Sequence, residues 1–308
     1  MQNRNVLNSS RLLELKKQRS KILRRKIFLF LFGFLVICVS LVYLSRINRL
    51  NISDVEITGN QTVDTVATKS IIDDQLAGKY LWLFPKTNIF IYPKNAIKNQ
   101  LEDKLKRLKD INISIVNNKT LKISVSERKA LYTWCGATSP IDDISLTSAT
   151  MTDNKCYFID EDGYIFDEAP YFSGEVYFKF YGLPEVSNSS DVDFNPLGSY
   201  VAKNNFKQLI YFKDTLLGLK LKPVSLYLNN NGDIDVYLSS GVANVLGPKI
   251  MVKADSDFQN VAENLEAAIT TEPLQSEFKN KYSSLLYIDL RFGNKVYYKF
   301  STAGAVIK

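Results

Sequence analysis

Histidine is absent from this chain of 308 residues, and only three cysteines occur. Without histidine, neither a Ser-His-Asp triad nor a Cys-His pair can form within the chain. No GxxxxGK(S/T) motif is present, and no GxGxxG follows a strand to open a helix. Because Cys135 and Cys156 have no CxxC partner, we expect no metal site and no cofactor.

Paired carboxylates are the remaining route to catalysis, and the densest acidic stretch is DEDGY at 160–164. A calcium loop needs further oxygen ligands at a fixed spacing, whereas Tyr164 and Phe166 follow here. Asp162-Gly163 is a standard hairpin turn. We therefore interpret the stretch as a turn and expect a protein that is not an enzyme.

The net positive charge of the chain comes from its N-terminal end. The net charge is +7, and residues 1–26 hold nine basic residues against one acid, Glu14. That tail alone carries +8, so the other residues sum to about −1. A nearly neutral body gives little support to nucleic-acid binding, and we expect none.

An uncharged run, IFLFLFGFLVICVSLVYL, occupies Ile27 to Leu44. As a helix it would span about 27 Å, close to the thickness of a bilayer core. A cleaved signal peptide has a shorter apolar region followed by a small-x-small site, and none follows here. We predict a basic tail over 1–26 and a single transmembrane helix over 27–45. The excess of basic residues before the helix places the N-terminus in the cytoplasm and the rest outside.

The segment that follows has the pattern of a small α+β domain. Val55 and Ile57 alternate with polar residues in a strand that ends at Gly59-Asn60. Helical spacing relates Val66, Ile71, Ile72 and Leu76, and then Ile97, Leu101, Leu105 and Leu108. Two alternating strands follow, with Ile111, Ile113 and Ile115 on one face of the first and Leu121, Ile123 and Val125 on one face of the second. A three-stranded sheet with two helices on one face would bury all these residues.

The apolar loop over 79–93 and the polar insert over 137–154 do not fit a regular element. We expect the loop to cover the core of the small domain, since apolar surface is usually buried. Its proximity to the transmembrane helix leaves contact with lipid as the alternative.

The pattern after about residue 130 predicts a domain that consists mainly of β-strands, with two helices. The helices are predicted around Leu209 to Leu217 and Phe258 to Ile269, and a hairpin turns at Asn231-Gly232. Trp134 is predicted to be core. Glu127-Arg128 ends a strand where we place the boundary, with solvated or local pairing preferred over a brace between domains.

Cys135 ends the stretch LYTWC, and Cys156 opens CYFID. If these strands pair antiparallel, their sulfurs come within bonding reach. Two buried free thiols are the alternative, because pairing register cannot be read from sequence.

The stretch YIDLRFGNKVYYKF, Tyr287 to Phe300, predicts a hairpin turning at Gly293-Asn294. Alternation places Ile288, Leu290 and Phe292 on the core face and exposes Asp289 and Arg291. On the returning strand Val296 and Tyr298 share one face and Tyr297 and Lys299 the other. A last strand keeps one backbone edge free unless something covers it.

Five stretches together resemble the bacterial FtsQ/DivIB cell-division family, beginning with the family's POTRA domain. They are VEITGNQTV, NNKTLKISVSERKA with LYTW beyond it, KCYFIDEDGYIF, NNNGDIDVYLSSGVANVLGPK and YIDLRFGNKVYYKF. The resemblance covers most of the chain in the family's order; the apolar loop and the polar insert depart from it. It implies a POTRA domain (β-α-α-β-β) over 50–127 and an FtsQ-like β domain over 128–303.

The resemblance also implies a function. FtsQ-like proteins are single-pass scaffolds of the divisome in the bacterial inner membrane at the septum, and their last strand receives a strand from FtsB, which arrives with FtsL. Arg291 and Phe292 match the family's Asp-Leu-Arg-aromatic positions, and Tyr298 lies near a late aromatic position. The predicted partner-binding residues are Arg291, Phe292, Val296, Tyr297, Tyr298, Lys299 and Phe300. Two alternatives stay open: a POTRA-bearing transport or secretion component, and a membrane-anchored cell-wall enzyme that uses carboxylates.

Overall fold

The computed structural model of the chain describes residues 10–140, 155–172, 175–185, 195–242 and 245–301. It is a mixed α+β fold with one N-terminal apolar helix. The chain divides into two compact units, Met1–Glu127 and Arg128–Lys308. Residues 141–154, most of the predicted polar insert, lie outside the described residues.

Helix α1, Ser10–Ser45, contains the whole uncharged run. Within the described residues it is the one helix long and apolar enough to cross a membrane, and its apolar side chains from Ile27 to Leu44 are largely exposed. A signal sequence near an N-terminus would meet the same criteria of length and composition.

The rest of the first unit contains the predicted strand, two helices and two strands, with an additional short hairpin between the two helices. Its elements are β1 (Asp54–Thr58), α2 (Thr65–Leu76), β2 (Lys79–Tyr80), β3 (Phe84–Pro85), α3 (Lys94–Lys104), β4 (Leu108–Val116) and β5 (Thr120–Glu127). The main sheet has the order β1-β5-β4, with β1 parallel and β4 antiparallel to β5. The short strands β2 and β3 form a separate hairpin.

The core of the first unit joins the two helices to one face of this sheet. Helix α2 begins after Asp64, whose carboxylate accepts the amides of Val66 and Ala67. The buried residues are Ile52, Ile72, Leu76, Ile97, Leu101, Leu108, Ile111, Ile113, Leu121, Ile123 and Val125. The alternation predicted for β4 and β5 is therefore confirmed.

Besides the β2–β3 hairpin, three details of the first unit differ from the prediction. Helix α3 ends at Lys104, and Leu108, predicted on that helix, opens β4. Val66 lies on the exposed side of α2, with 76% of its surface accessible. The apolar loop does not cover the core as a whole: Ile89 and Tyr92 pack against it, whereas most of the loop's other apolar side chains are exposed. Spacing alone does not show where a helix ends or which neighbours cover a loop.

The second unit is built on a nine-stranded sheet. Its strands are β6 (Tyr132–Trp134), β7 (Cys156–Ile159), β8 (Ile165–Ala169), β9 (Lys179–Gly182), β10 (Pro223–Leu228), β11 (Asp233–Ser239), β12 (Leu246–Lys253), β13 (Leu285–Phe292) and β14 (Lys295–Phe300). The spatial order is β14-β13-β12-β11-β10-β9-β6-β7-β8. The pairs β6/β9, β9/β10 and β12/β13 are parallel, and the others are antiparallel.

Helices α4 (Phe206–Gly218) and α5 (Phe258–Thr270) match the two predicted for this unit. A third, α6 (Leu274–Lys281), was not predicted, because only Leu274 of its eight residues is buried and an apolar stripe is missing. The core includes Phe206, Phe212, Phe258 and Leu265 on the first two helices. Trp134 is core as predicted, and its indole donates to the carbonyl of Gly182 at 2.8 Å.

The acidic stretch at 160–164 forms the turn between β7 and β8. The Asp160 carboxylate accepts the amides of Asp162 (2.9 Å) and Tyr164 (3.0 Å), and Gly163 adopts a φ of 82° that favours glycine. Arg128 forms an ion pair with the same carboxylate and stacks over the Tyr164 ring. These contacts match the interpretation of the stretch as a turn.

Candidate functional site

The β13–β14 hairpin forms one end of the nine-stranded sheet. Strand β14 pairs antiparallel with β13 through Ile288↔Tyr298 and Asp289↔Tyr297. Within the described residues no strand pairs with the other side of β14. The sheet therefore ends in an edge strand of six residues, and a row of backbone donors and acceptors lies along it.

The two ends of the sheet differ in how far they are covered. At the β8 end, the Ile165 amide donates to the carbonyl of Ser199 (2.9 Å), and Gly198 donates back to Ile165 (2.8 Å). This passing segment occupies part of the backbone edge of β8. The edge of β14 is thus the more open of the two ends in the described part of the chain.

Backbone alternation shows which β14 amides point away from the sheet. The Ser301 amide donates to the carbonyl of Ser284 on the β13 side at 2.7 Å. Because successive residues of a strand point their amides in opposite directions, those of Tyr297 and Lys299 also face β13. The amides of Val296, Tyr298 and Phe300 then face outward, where an added strand could pair with them.

The side chains of β14 divide between the two faces as predicted. Val296, Tyr298 and Phe300 pack against the core of the second unit. Lys295, Tyr297 and Lys299 are exposed on the opposite face. The rings of Tyr298 and Phe300 meet edge to face with centroids 5.8 Å apart. The core-facing set therefore anchors the strand, and the exposed set is available for contact.

Phe292 lies on the exposed face, which corrects the prediction that it belongs to the core. Between Asp289 and Phe292, three steps along β13 match two steps along β14, from Tyr297 to Lys295. This bulge moves the following side chain to the other face of the sheet. Phe292 is 56% exposed, and its ring contacts that of Tyr297 at 5.4 Å between centroids.

Asp289 is buried, with 6% of its surface accessible, although alternation predicted that it is exposed. Arg291 donates to both of its carboxylate oxygens, at 2.9 and 2.7 Å, and also pairs with Asp233. On the neighbouring strands Lys249 donates to the buried Asp235 at 2.8 Å. A polar network thus crosses β11, β12 and β13 on one face of the sheet.

Burial alone would raise the pKa of Asp289, but its hydrogen bonds with Arg291 and the charges of Arg291 and Lys249 outweigh this and lower it. The hydrogen bond to Asp289 raises the pKa of Arg291 against the opposing effect of burial. Both groups are therefore charged at neutral pH. Arg291, one of the predicted partner-binding residues, also holds this buried carboxylate.

The sequence alone does not show that Asp233, Asp235 and Lys249 lie next to the β13–β14 hairpin. The alternation of Asp233 and Asp235 with apolar residues is visible in GDIDVYLS and places both on one face. Their meeting with Asp289 depends on β12 lying between β11 and β13, where Met251 pairs with both Asp235 and Asp289. That strand order is a tertiary fact without a local signal.

Cys135 and Cys156 form a disulfide in the structure, with Cα atoms 4.2 Å apart. The flanking strands β6 and β7 pair antiparallel, with Trp134 opposite Tyr157, which is the arrangement on which the predicted bridge depended. In the described part of the chain, no group of three His, Cys, Asp or Glu side chains is placed to hold a metal ion. The sequence matches no known family model and no curated protein.

Proposed function

We propose that the chain is a non-enzymatic membrane scaffold whose strand β14 receives an extended segment of another protein. The observation that carries this proposal is the open edge of β14, with the outward amides of Val296, Tyr298 and Phe300. Strand addition uses such main-chain groups for affinity and the neighbouring side chains for specificity.

The exposed face of β14 supports a choice of partner by charge and shape. Lys295 and Lys299 flank the exposed Tyr297, and Phe292 lies beside Tyr297. An added strand would place its alternate side chains next to this row. Acidic residues opposite the two lysines and an apolar residue opposite the aromatic pair would fit best. Lysines also discourage unspecific pairing at a sheet edge, so they favour one partner over many.

The motif resemblance directs the proposal to cell division. In this proposal the first unit is a POTRA domain. Its β1-β5-β4 sheet and the order of its main strands and helices support that assignment. Helix α1 is the single anchor in the inner membrane, with the basic tail in the cytoplasm and both units outside. The partners are FtsB/FtsL-like single-pass proteins and other divisome components at the septum.

The proposal is tested by Val296→Pro in the full chain, compared with Val296→Ala. Both changes remove the packing of the Val296 side chain, but only proline also removes the outward amide. An edge strand tolerates proline whose missing donor faces outward, so we expect both variants to fold, as circular dichroism would show. Calorimetry with an FtsB/FtsL-like complex should give binding at least about tenfold weaker for the proline variant. Equal affinity of the two folded variants would contradict strand addition at β14.

A further inference from the structure

The apolar loop over 79–93 presents large side chains directly to solvent. Trp82 is 90% exposed, Leu81 is 83% exposed, and Phe90 is also largely accessible. Exposing several large apolar groups within one short segment is unfavourable in water and marks a contact surface in soluble domains. The loop is therefore the strongest candidate contact surface in the first unit.

The tip of the β2–β3 hairpin holds its apolar residues in an unfavourable backbone conformation. Leu81 and Trp82 have φ values of 47° and 64°. Glycine and asparagine are the residues that turns of this kind favour, because a large side chain is strained in this region. Such strain at an exposed apolar tip indicates that these side chains are retained for contact.

Hydrogen bonds attach the loop to the C-terminal end of helix α1. The amide side chain of Asn88, which is buried, donates to the carbonyl of Ser45, the last helical residue, at 3.1 Å. The Ile89 amide donates to the carbonyl of Leu50 at 3.0 Å. The Arg46 guanidinium reaches the carbonyl of Leu83 at 3.5 Å. The exposed apolar residues thus belong to a segment held at the point where the helix would leave a membrane.

The residue types next to the end of α1 are those that are common at a membrane–water interface. Tryptophan and tyrosine prefer the headgroup level, where the ring is in apolar surroundings and the polar edge stays wet. Basic residues lie next to the apolar tip: Lys79 opens β2, Lys86 follows β3, and Arg46 contacts the carbonyl of Leu83. The Lys86 ammonium lies 5.9 Å from the centre of the Tyr80 ring. Apolar side chains with a basic rim are the pattern of segments that lie in the interface.

We propose that Leu81, Trp82 and Phe90 insert into the headgroup–acyl boundary of the bilayer that α1 spans. The loop then acts as a second membrane contact and fixes the first unit against the lipid surface. The proposal uses the membrane-anchor part of the proposed function and is independent of partner binding at β14.

The two tryptophans of the chain make the test specific. Trp134 is buried in the second unit, so the fluorescence difference between the wild type and Trp82→Phe reports on Trp82 alone. The full chain is reconstituted in phosphatidylcholine vesicles whose acyl chains carry bromine close to the headgroup. We expect the brominated lipid to remove most of the difference signal and soluble acrylamide to remove little.

A matched control places tryptophan elsewhere on the same unit, as Val66→Trp in the Trp82→Phe background. Val66 is exposed in the first turn of α2. It lies about 15 Å along the helix from Leu76, the last residue of α2 before the apolar loop. We expect that tryptophan to be quenched by acrylamide and not by brominated lipid.

Two results for Trp82 would overturn the proposal. Quenching by acrylamide alone would place the loop in water, and protection from both quenchers would place it against protein, such as a second copy of the chain. A chain that does not float with the vesicles would refute the anchor itself, and the loop proposal with it. A chain that floats but shows no lipid quenching would refute only the loop contact.

Discussion

The carboxylate of Glu127 connects two segments of the first unit by hydrogen bonds. Its side chain accepts the backbone amides of Gln61, Thr62 and Val63 at 2.6, 2.8 and 2.9 Å. Burial would raise the pKa of Glu127, but these three amides outweigh it and lower the pKa. Glu127 thus ties the end of β5 to the turn after β1, which fits local pairing better than a brace between domains.

The lowered pKa makes the first unit sensitive to acid. A carboxyl group whose pKa is lower in the folded state contributes stability above its unfolded value and loses it as pH falls through the folded value. Below the ordinary value of 4.5 we expect this contribution to be lost progressively. Glu127→Gln should cost about 1 kcal/mol at neutral pH and remove this part of the acid dependence.

Chemical unfolding of the full chain at neutral and acidic pH measures both effects. Glu56→Gln is the matched control, because Glu56 is exposed and forms a surface ion pair with Lys122 in the same unit. Acid dependence that is the same in Glu127→Gln and the wild type would show that the amides of the turn do not favour the charged carboxylate.

Strand β14 and its neighbour β13 show what the sequence could and could not predict at the level of elements. The alternation of β14 was readable because the strand is regular and one face is buried. The prediction failed for Phe292 because of the bulge in β13. It failed for Asp289 because the burial of that side chain depends on the neighbouring strands, among them β12, where Met251 pairs with it. The third helix, α6, was missed because it buries one residue.

The disulfide between Cys135 and Cys156 connects two neighbouring strands of the sheet. It links the end of β6 to the start of β7 across a sequence separation of 21. We expect alkylation of the unreduced chain to modify Cys38 alone, and alkylation after reduction to modify all three cysteines, as mass spectrometry would show. Replacing both bridged cysteines by serine should cost about 3 kcal/mol, by the loop-closure model. Alkylation of Cys135 and Cys156 without reductant would contradict the bridge.

At the scale of the whole molecule, the chain combines a basic tail, one long apolar helix and two compact units. The first unit could be predicted in outline, because its apolar stripes follow one after another along the chain. The order of the nine strands in the second unit could not be predicted. Three of its pairings are parallel and therefore join strands that are separated by long connections in the sequence. The sequence predicted the place of the candidate site on the last strand of that sheet, and the partner specificity that we propose for it depends on the exposed row of β14.

Hydrogen exchange of the full chain, with and without an FtsB/FtsL-like complex, tests strand addition at β14 most directly. We expect the outward amides of Val296, Tyr298 and Phe300 to become protected on binding. Amides of β8, at the other end of the sheet, should exchange as before. Binding without protection of β14, or with protection only at β8 or in the first unit, would contradict strand addition at β14.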